Sequence, residues 1–139
     1  MSTNKPVELE KDNPGKHFFA AWGYSINGIA SCFKTEMAFR MELAMIGVLF
    51  PFSFLIQQSL VEFLILQGTL CLLVIVEILN TAIENVIDKT IPQRSTRAGM
   101  AKDQGSAAVF MTLWLIGLVW ISLLVKNWGQ IVATVEGWI

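Results

Sequence analysis

Glu77, Asn80 and Glu84 stand at i, i+3 and i+7 in a run that is otherwise almost wholly apolar. In a helix that spacing stacks all three on one face, and Asp88 extends the face one turn further. Ionisable groups inside an apolar helix are costly, so they turn toward other helices or a wet cavity rather than lipid. The stripe can serve as an inter-helix hydrogen-bond network without chemistry. It can equally form a site for a hard cation. Magnesium prefers oxygen ligands and often uses one or two carboxylates together with substrate phosphates.

Two further groups bear on that choice. Glu36 and Arg40 are four residues apart, the spacing of a helical ion pair that is commonly only structural. The run Ala101-Lys102-Asp103-Gln104-Gly105-Ser106-Ala107-Ala108 opens another apolar segment. Lys102 can meet phosphate as a mobile point charge. Asp103 is placed to cap a helix start, and the small residues after it let a second helix approach closely. Phosphoryl transfer needs a metal, cationic neutralisation, and a group that orients or deprotonates the attacking hydroxyl. Glu36 and Glu84 could hold the metal, and Lys102, with Arg94 or Arg97, could supply positive charge. Glu77 lies deeper along its helix, where a lipid hydroxyl could reach it as general base. Neither a GxxxxGK[ST] run nor a kinase glycine loop is present, so neither standard nucleotide fold applies.

The elements that must hold these groups are membrane helices. Of 139 residues, 54% are hydrophobic and only 15% are charged, against about 25% charged in soluble domains. A formal net charge of -1 provides no field for nucleic acid. Residues 1–14 form a polar tail, and residues 15–139 are expected to form one membrane domain. Over about 15–34, Phe18, Phe19, Trp22, Ile26, Ile29 and Phe33 recur at helical spacing. They predict an amphipathic helix lying in the membrane interface, with Lys16 and Lys34 near headgroups. Spanning helices are expected over about 43–61, 63–87 and 104–125, each long enough to cross about 30 Å of hydrocarbon. Pro51 lies inside the first, which a spanning helix tolerates. Gln57, Gln58 and Ser59 mark a tight turn. Cys32 and Cys71 read as buried thiols, without metal or disulfide spacing. The amino-terminal region carries charges rather than a signal-peptide pattern, so membrane entry is expected through the internal segments.

Basic residues set the expected topology. Lys89, Arg94, Arg97 and Lys102 fall in one loop region, and Lys5, Lys11, Lys16, Lys34 and Arg40 precede the first span, whereas the turn over 57–62 has none. The amino terminus is therefore expected in the cytoplasm and the carboxyl terminus in the periplasm. Both polar clusters then meet ATP.

Four runs resemble the bacterial integral-membrane diacylglycerol kinase family. They are Ala21-Trp22-Gly23-Tyr24-Ser25, Glu36-Met37-Ala38-Phe39-Arg40-Met41-Glu42, Val76-Glu77-Ile78-Leu79-Asn80-Thr81-Ala82-Ile83-Glu84, and Ala101-Lys102-Asp103-Gln104-Gly105-Ser106-Ala107-Ala108-Val109. The resemblance covers roughly residues 16–125. It implies an all-α homotrimer in the bacterial inner membrane, with three spanning helices and one amphipathic surface helix per subunit and active sites shared between subunits. It implies magnesium as cofactor, ATP as phosphate donor, diacylglycerol as acceptor and phosphatidic acid as product, returned to phospholipid synthesis. By the same resemblance Glu77 is the general base, Glu36 and Glu84 bind metal, and Asn80 supports the site. Tyr24, Lys102 and Asp103 face the nucleotide, and Ser106 lies near the lipid. Two positions depart from the family. An acidic–aromatic–histidine stretch near the nucleotide is replaced by Gln93-Arg94-Ser95, where Arg94 is the candidate cation. An amino-terminal arginine is replaced by His17 beside Lys16, where His17 serves as an interfacial polar residue or a phosphate contact.

Two other functions remain to be weighed. An undecaprenol kinase of the same family would share the chemical centre but take a longer lipid alcohol. A small ion or proton transporter would line a path with the same carboxylates, but it needs access from both faces.

Overall fold

The computed structural model describes residues 14–90 and 95–137, with side chains described from Phe19 onward. Among the described residues five helices follow in order: α1 (Pro14–Thr35), α2 (Met37–Ile56), α3 (Leu60–Thr90), α4 (Thr96–Lys126) and α5 (Trp128–Glu136). No strand occurs among the described residues. Three of these described helices, α2, α3 and α4, are long and apolar enough to cross a membrane.

Pro14 opens α1, where a missing N–H costs nothing. Trp22, Ile26, Ile29 and Phe33 keep their apolar stripe exposed, while Cys32 turns inward and is buried. Only Glu36 separates α1 from α2, with extended backbone at φ -103 and ψ 120. The expected Glu36–Arg40 ion pair does not form. Arg40 Nη1 instead donates to the carbonyls of Phe33 at 3.0 Å and Lys34 at 3.3 Å. These are end-of-helix acceptors left without intrahelical donors. Arg40 thus fixes the α1–α2 corner and leaves the Glu36 carboxylate free of it.

Apolar content alone placed the first span at 43–61, but α2 already begins at Met37 and ends at Ile56. The helix stops because Gln57 turns to extended backbone (φ -69, ψ 140). Ser59 then caps the start of α3: Glu62 N–H donates to Ser59 Oγ at 3.2 Å. The other spans are also longer than hydropathy suggested. Polar ends at Asp88–Thr90 and Thr96–Asp103 continue the helical hydrogen bonding. Ser95, not Asp103, caps α4, its Oγ accepting from Ala98 N–H at 3.1 Å. Asp103 lies about two turns inside the helix.

α3 and α4 run antiparallel and share a seam. On α3 the facing stripe is Leu66, Leu70 and Leu73, all buried. Ile116 and Trp120 of α4 pack against it with Ile56 and Ile131. Trp120 Nε1 donates to Thr69 Oγ1 at 3.2 Å, which satisfies the indole in an apolar setting. Ser53 Oγ accepts from Gln67 Nε2 at 2.7 Å and ties α2 to the same layer. Cys71, expected to be buried, faces outward from α3, because it falls off the 66–70–73 stripe.

α5 was not anticipated from the sequence. Asn127 breaks the chain after α4, and its Nδ2 donates to Ile56 O at 2.8 Å and Glu62 Oε2 at 2.9 Å. Lys126 Nζ pairs with Glu62 Oε1 at 2.7 Å, and Gln58 N–H donates to Glu62 Oε2 at 2.8 Å. One carboxylate therefore joins the α2–α3 turn to the α4–α5 junction. Asn127→Ala removes the side-chain donor to Ile56 O and leaves Glu62 Oε2 with Gln58 N–H alone, at a cost of about 1–3 kcal/mol. A lower thermal-unfolding midpoint in detergent is the expected result.

Candidate active site

The α3 stripe changes character along its length. The face that carries Leu66, Leu70 and Leu73 continues into Glu77, Asn80, Thr81 and Glu84. Opposite it, α4 changes from Trp120, Ile116 and Thr112 to Val109, Ser106 and Gly105. Small residues replace large ones where the α3 side chains become polar, and a cavity of about 270 Å³ opens there. Its lining is Glu36, Ala38, Glu42, Glu77, Asn80, Thr81, Glu84, Ser106 and Val109. The start of α2, the second half of α3 and the first half of α4 all contribute.

Four carboxylates thus face one space. Glu77 is the deepest, only 4% exposed. Asn80 Nδ2 donates to Glu84 Oε1 at 3.3 Å. Glu42 Oε2 and Asn80 Oδ1 are buried without a hydrogen-bond partner. Among the described residues no lysine or arginine forms an ion pair with any of the four. Crowded like charges in a low-dielectric setting repel and favour uptake of a cation or proton. The donors are all oxygen, with no sulfur or imidazole in the lining, which fits magnesium rather than zinc. No three His, Cys, Asp or Glu residues converge as a ready metal set among the described residues.

Of the residues singled out from the sequence, Glu36, Glu77, Asn80, Glu84 and Ser106 meet in this cavity. Lys102 and Asp103 do not line it. Lys102 Nζ is engaged by Asp88 Oδ1, and Asp103 is exposed. Tyr24 is exposed on α1. Arg94 and the side chains of Lys16 and His17 lie outside the described residues. Sequence reasoning missed Glu42 and Thr81. Glu42 is six positions after Glu36, a spacing that groups nothing on one helix. Glu36 precedes α2 in extended backbone, so helical periodicity cannot relate the two.

Fold and cavity together define a multi-pass helical membrane protein with a carboxylate-rich site between its spans. Comparison with known proteins makes this specific. The sequence model of the prokaryotic diacylglycerol kinase family matches residues 23–124, and the chain belongs to that family of membrane kinases. Similar proteins named diacylglycerol kinase include one from Haemophilus influenzae, 37% identical over 108 residues, spanning 78% of this chain and 92% of that protein. One from Pseudomonas aeruginosa is 38% identical over 109 residues, with 78% and 89% covered. One from Escherichia coli K12 is 33% identical over 109 residues, with the same coverage.

Proposed function

We propose that the protein transfers the γ-phosphoryl group of magnesium-ATP to the free hydroxyl of diacylglycerol at the cytoplasmic surface of the bacterial inner membrane, giving phosphatidic acid and ADP. The observation that carries this reading is the carboxylate cavity at the polar end of an otherwise apolar seam. Diacylglycerol keeps its acyl chains in the bilayer and brings one hydroxyl to that depth. Glu77 would accept the proton of this hydroxyl as its oxygen bonds to the γ-phosphorus and the bond to the ADP oxygen breaks. Ser106, across the cavity, would contact the lipid headgroup. Glu36 and Glu84 would hold the magnesium ion, which when bound neutralises charge on the phosphates. Asn80 would orient Glu84. Lys102 would exchange Asp88 for phosphate, with Asp103, Arg94, Tyr24, Lys16 and His17 as the remaining nucleotide-side groups.

The positive-inside distribution supports a cytoplasmic amino terminus and a periplasmic carboxyl terminus. The amphipathic α1 would lie at the cytoplasmic interface, and three subunits would share their sites. Transport is disfavoured because the four carboxylates gather at one end of the seam, whereas a path needs access from both faces, and the rest of the seam is packed chiefly by Leu66, Leu70, Leu73, Ile116 and Trp120.

The test is transfer from labelled ATP in lipid–detergent micelles containing diacylglycerol or undecaprenol, with and without magnesium. Magnesium-dependent product from diacylglycerol is expected. Product mainly from undecaprenol would keep the kinase and overturn the acceptor. No product from either lipid by folded protein would sink the reading.

A further inference from the structure

Among the described glycines, Gly105 alone meets a neighbouring side chain at the place where a Cβ would stand. That atom would overlap Asn80 Oδ1, the far end of the side chain, and lie 3.2 Å from Asn80 Cγ. Gly68, Gly99 and Gly117 on α3 and α4 have open space at the same place. Glycine at 105 is therefore a specific accommodation of one amide, not a general feature of close helix packing. Gly105 is buried. Asn80 sits between two spaces, since it lines both the carboxylate cavity and an apolar groove formed with Ala101, Gln104 and Ala108. Its oxygen gains no hydrogen bond for being buried there, and such a position is costly unless packing holds it. The Asn80 amide instead donates from Nδ2 to Glu84 Oε1, at 3.3 Å.

We propose that Gly105 is a positioning residue: the bare α4 backbone seats the Asn80 amide, and through its Nδ2 sets the direction of the Glu84 carboxylate into the cavity. No contact of Gly105 with substrate is needed. Any side chain at 105 displaces the amide, and the carboxylate then loses its donor. The metal-side consequence rests on the reading of Glu84 as a magnesium ligand, whereas the Gly105–Asn80 coupling does not.

The experiment compares Gly105→Ala, Asn80→Ala, the double variant, Glu84→Gln and Gly117→Ala as full-length protein in micelles. Readouts are kcat, the magnesium concentration for half-maximal rate, the thermal midpoint, and manganese binding by electron paramagnetic resonance with a non-hydrolysable ATP analogue. Gly105→Ala is expected to raise the cation requirement about tenfold and to weaken manganese binding equally, while Gly117→Ala matches the parent. In the Asn80→Ala background the added Cβ has room, so the double variant should match Asn80→Ala in rate, cation requirement and midpoint. A Gly105→Ala protein too unstable to assay would still be tested by that recovery. Full additivity of the two substitutions, or a Gly105→Ala protein identical to the parent, overturns the proposal. An unchanged cation requirement in Glu84→Gln refutes the metal role of Glu84 separately, and the coupling is then judged on non-additivity of kcat and midpoint.

Discussion

Glu77→Gln is expected to lower kcat for phosphoryl transfer by about 10²–10⁴-fold, the usual contribution of general acid–base catalysis. Glutamine keeps the shape of a side chain that is only 4% exposed, so packing along the α3 stripe is retained. It cannot accept the hydroxyl proton. The loss should therefore fall on kcat, with the KM for ATP nearly unchanged, because nothing in this substitution removes a phosphate contact. A thermal midpoint equal to or above that of the parent would complete the pattern, since one of four crowded carboxylates has been neutralised. A variant that retains full kcat would show that Glu77 is a buried structural carboxylate, and the acceptor hydroxyl would then need another base. Glu42, its unpartnered neighbour in the cavity lining, would be the next to test.

The polar stripe of α3 was legible because Glu77, Asn80 and Glu84 obey helical periodicity within one uninterrupted helix. Glu77, Asn80 and Glu84 needed only the assumption that the run is helical to be placed together. The alternation of spans and turns was legible for the same kind of local reason: hydropathy and the Gln57-Gln58-Ser59 break report on their own neighbourhoods. What escaped depends on where the chain turns and on partners distant in it, and in one case on a local motif left unread. Glu42 joins the cavity only because the chain turns at Glu36 and α2 packs on α3. Arg40 spends its guanidinium on the last carbonyls of α1, so its spacing from Glu36 was misleading. Asn127 reads as a polar residue after a span until Ile56 and Glu62 are seen to accept from it, and with it α5 was missed. Ser59-x-x-Glu62 could have been read as a helix-start signal and would have started α3 at Leu60.

Replacing the two candidate metal ligands should separate cation binding from proton transfer. Glu36→Gln and Glu84→Gln are each expected to raise the magnesium concentration for half-maximal rate by about 10–100-fold, if each carboxylate is worth the roughly 1.5–3 kcal/mol of a charged interaction. Saturating magnesium should recover much of the rate in either variant, in contrast to Glu77→Gln, which no cation concentration repairs. The two positions differ in what holds them. Glu84 is rooted in α3 and bonded to Asn80. Glu36 is the single extended residue between α1 and α2, and no hydrogen bond from its side chain caps α2. Its carboxylate is thus placed by the Arg40-fastened corner rather than by a bond of its own. Arg40→Ala should consequently shift the cation requirement in the same direction as Glu36→Gln, although Arg40 does not line the cavity. In the Glu36→Gln background the Arg40 substitution should add little. If the two effects add fully, the corner supports the fold rather than the carboxylate. If neither glutamine variant changes the cation requirement, the magnesium that accompanies ATP must be held elsewhere, and the carboxylate cavity would serve the lipid acceptor alone.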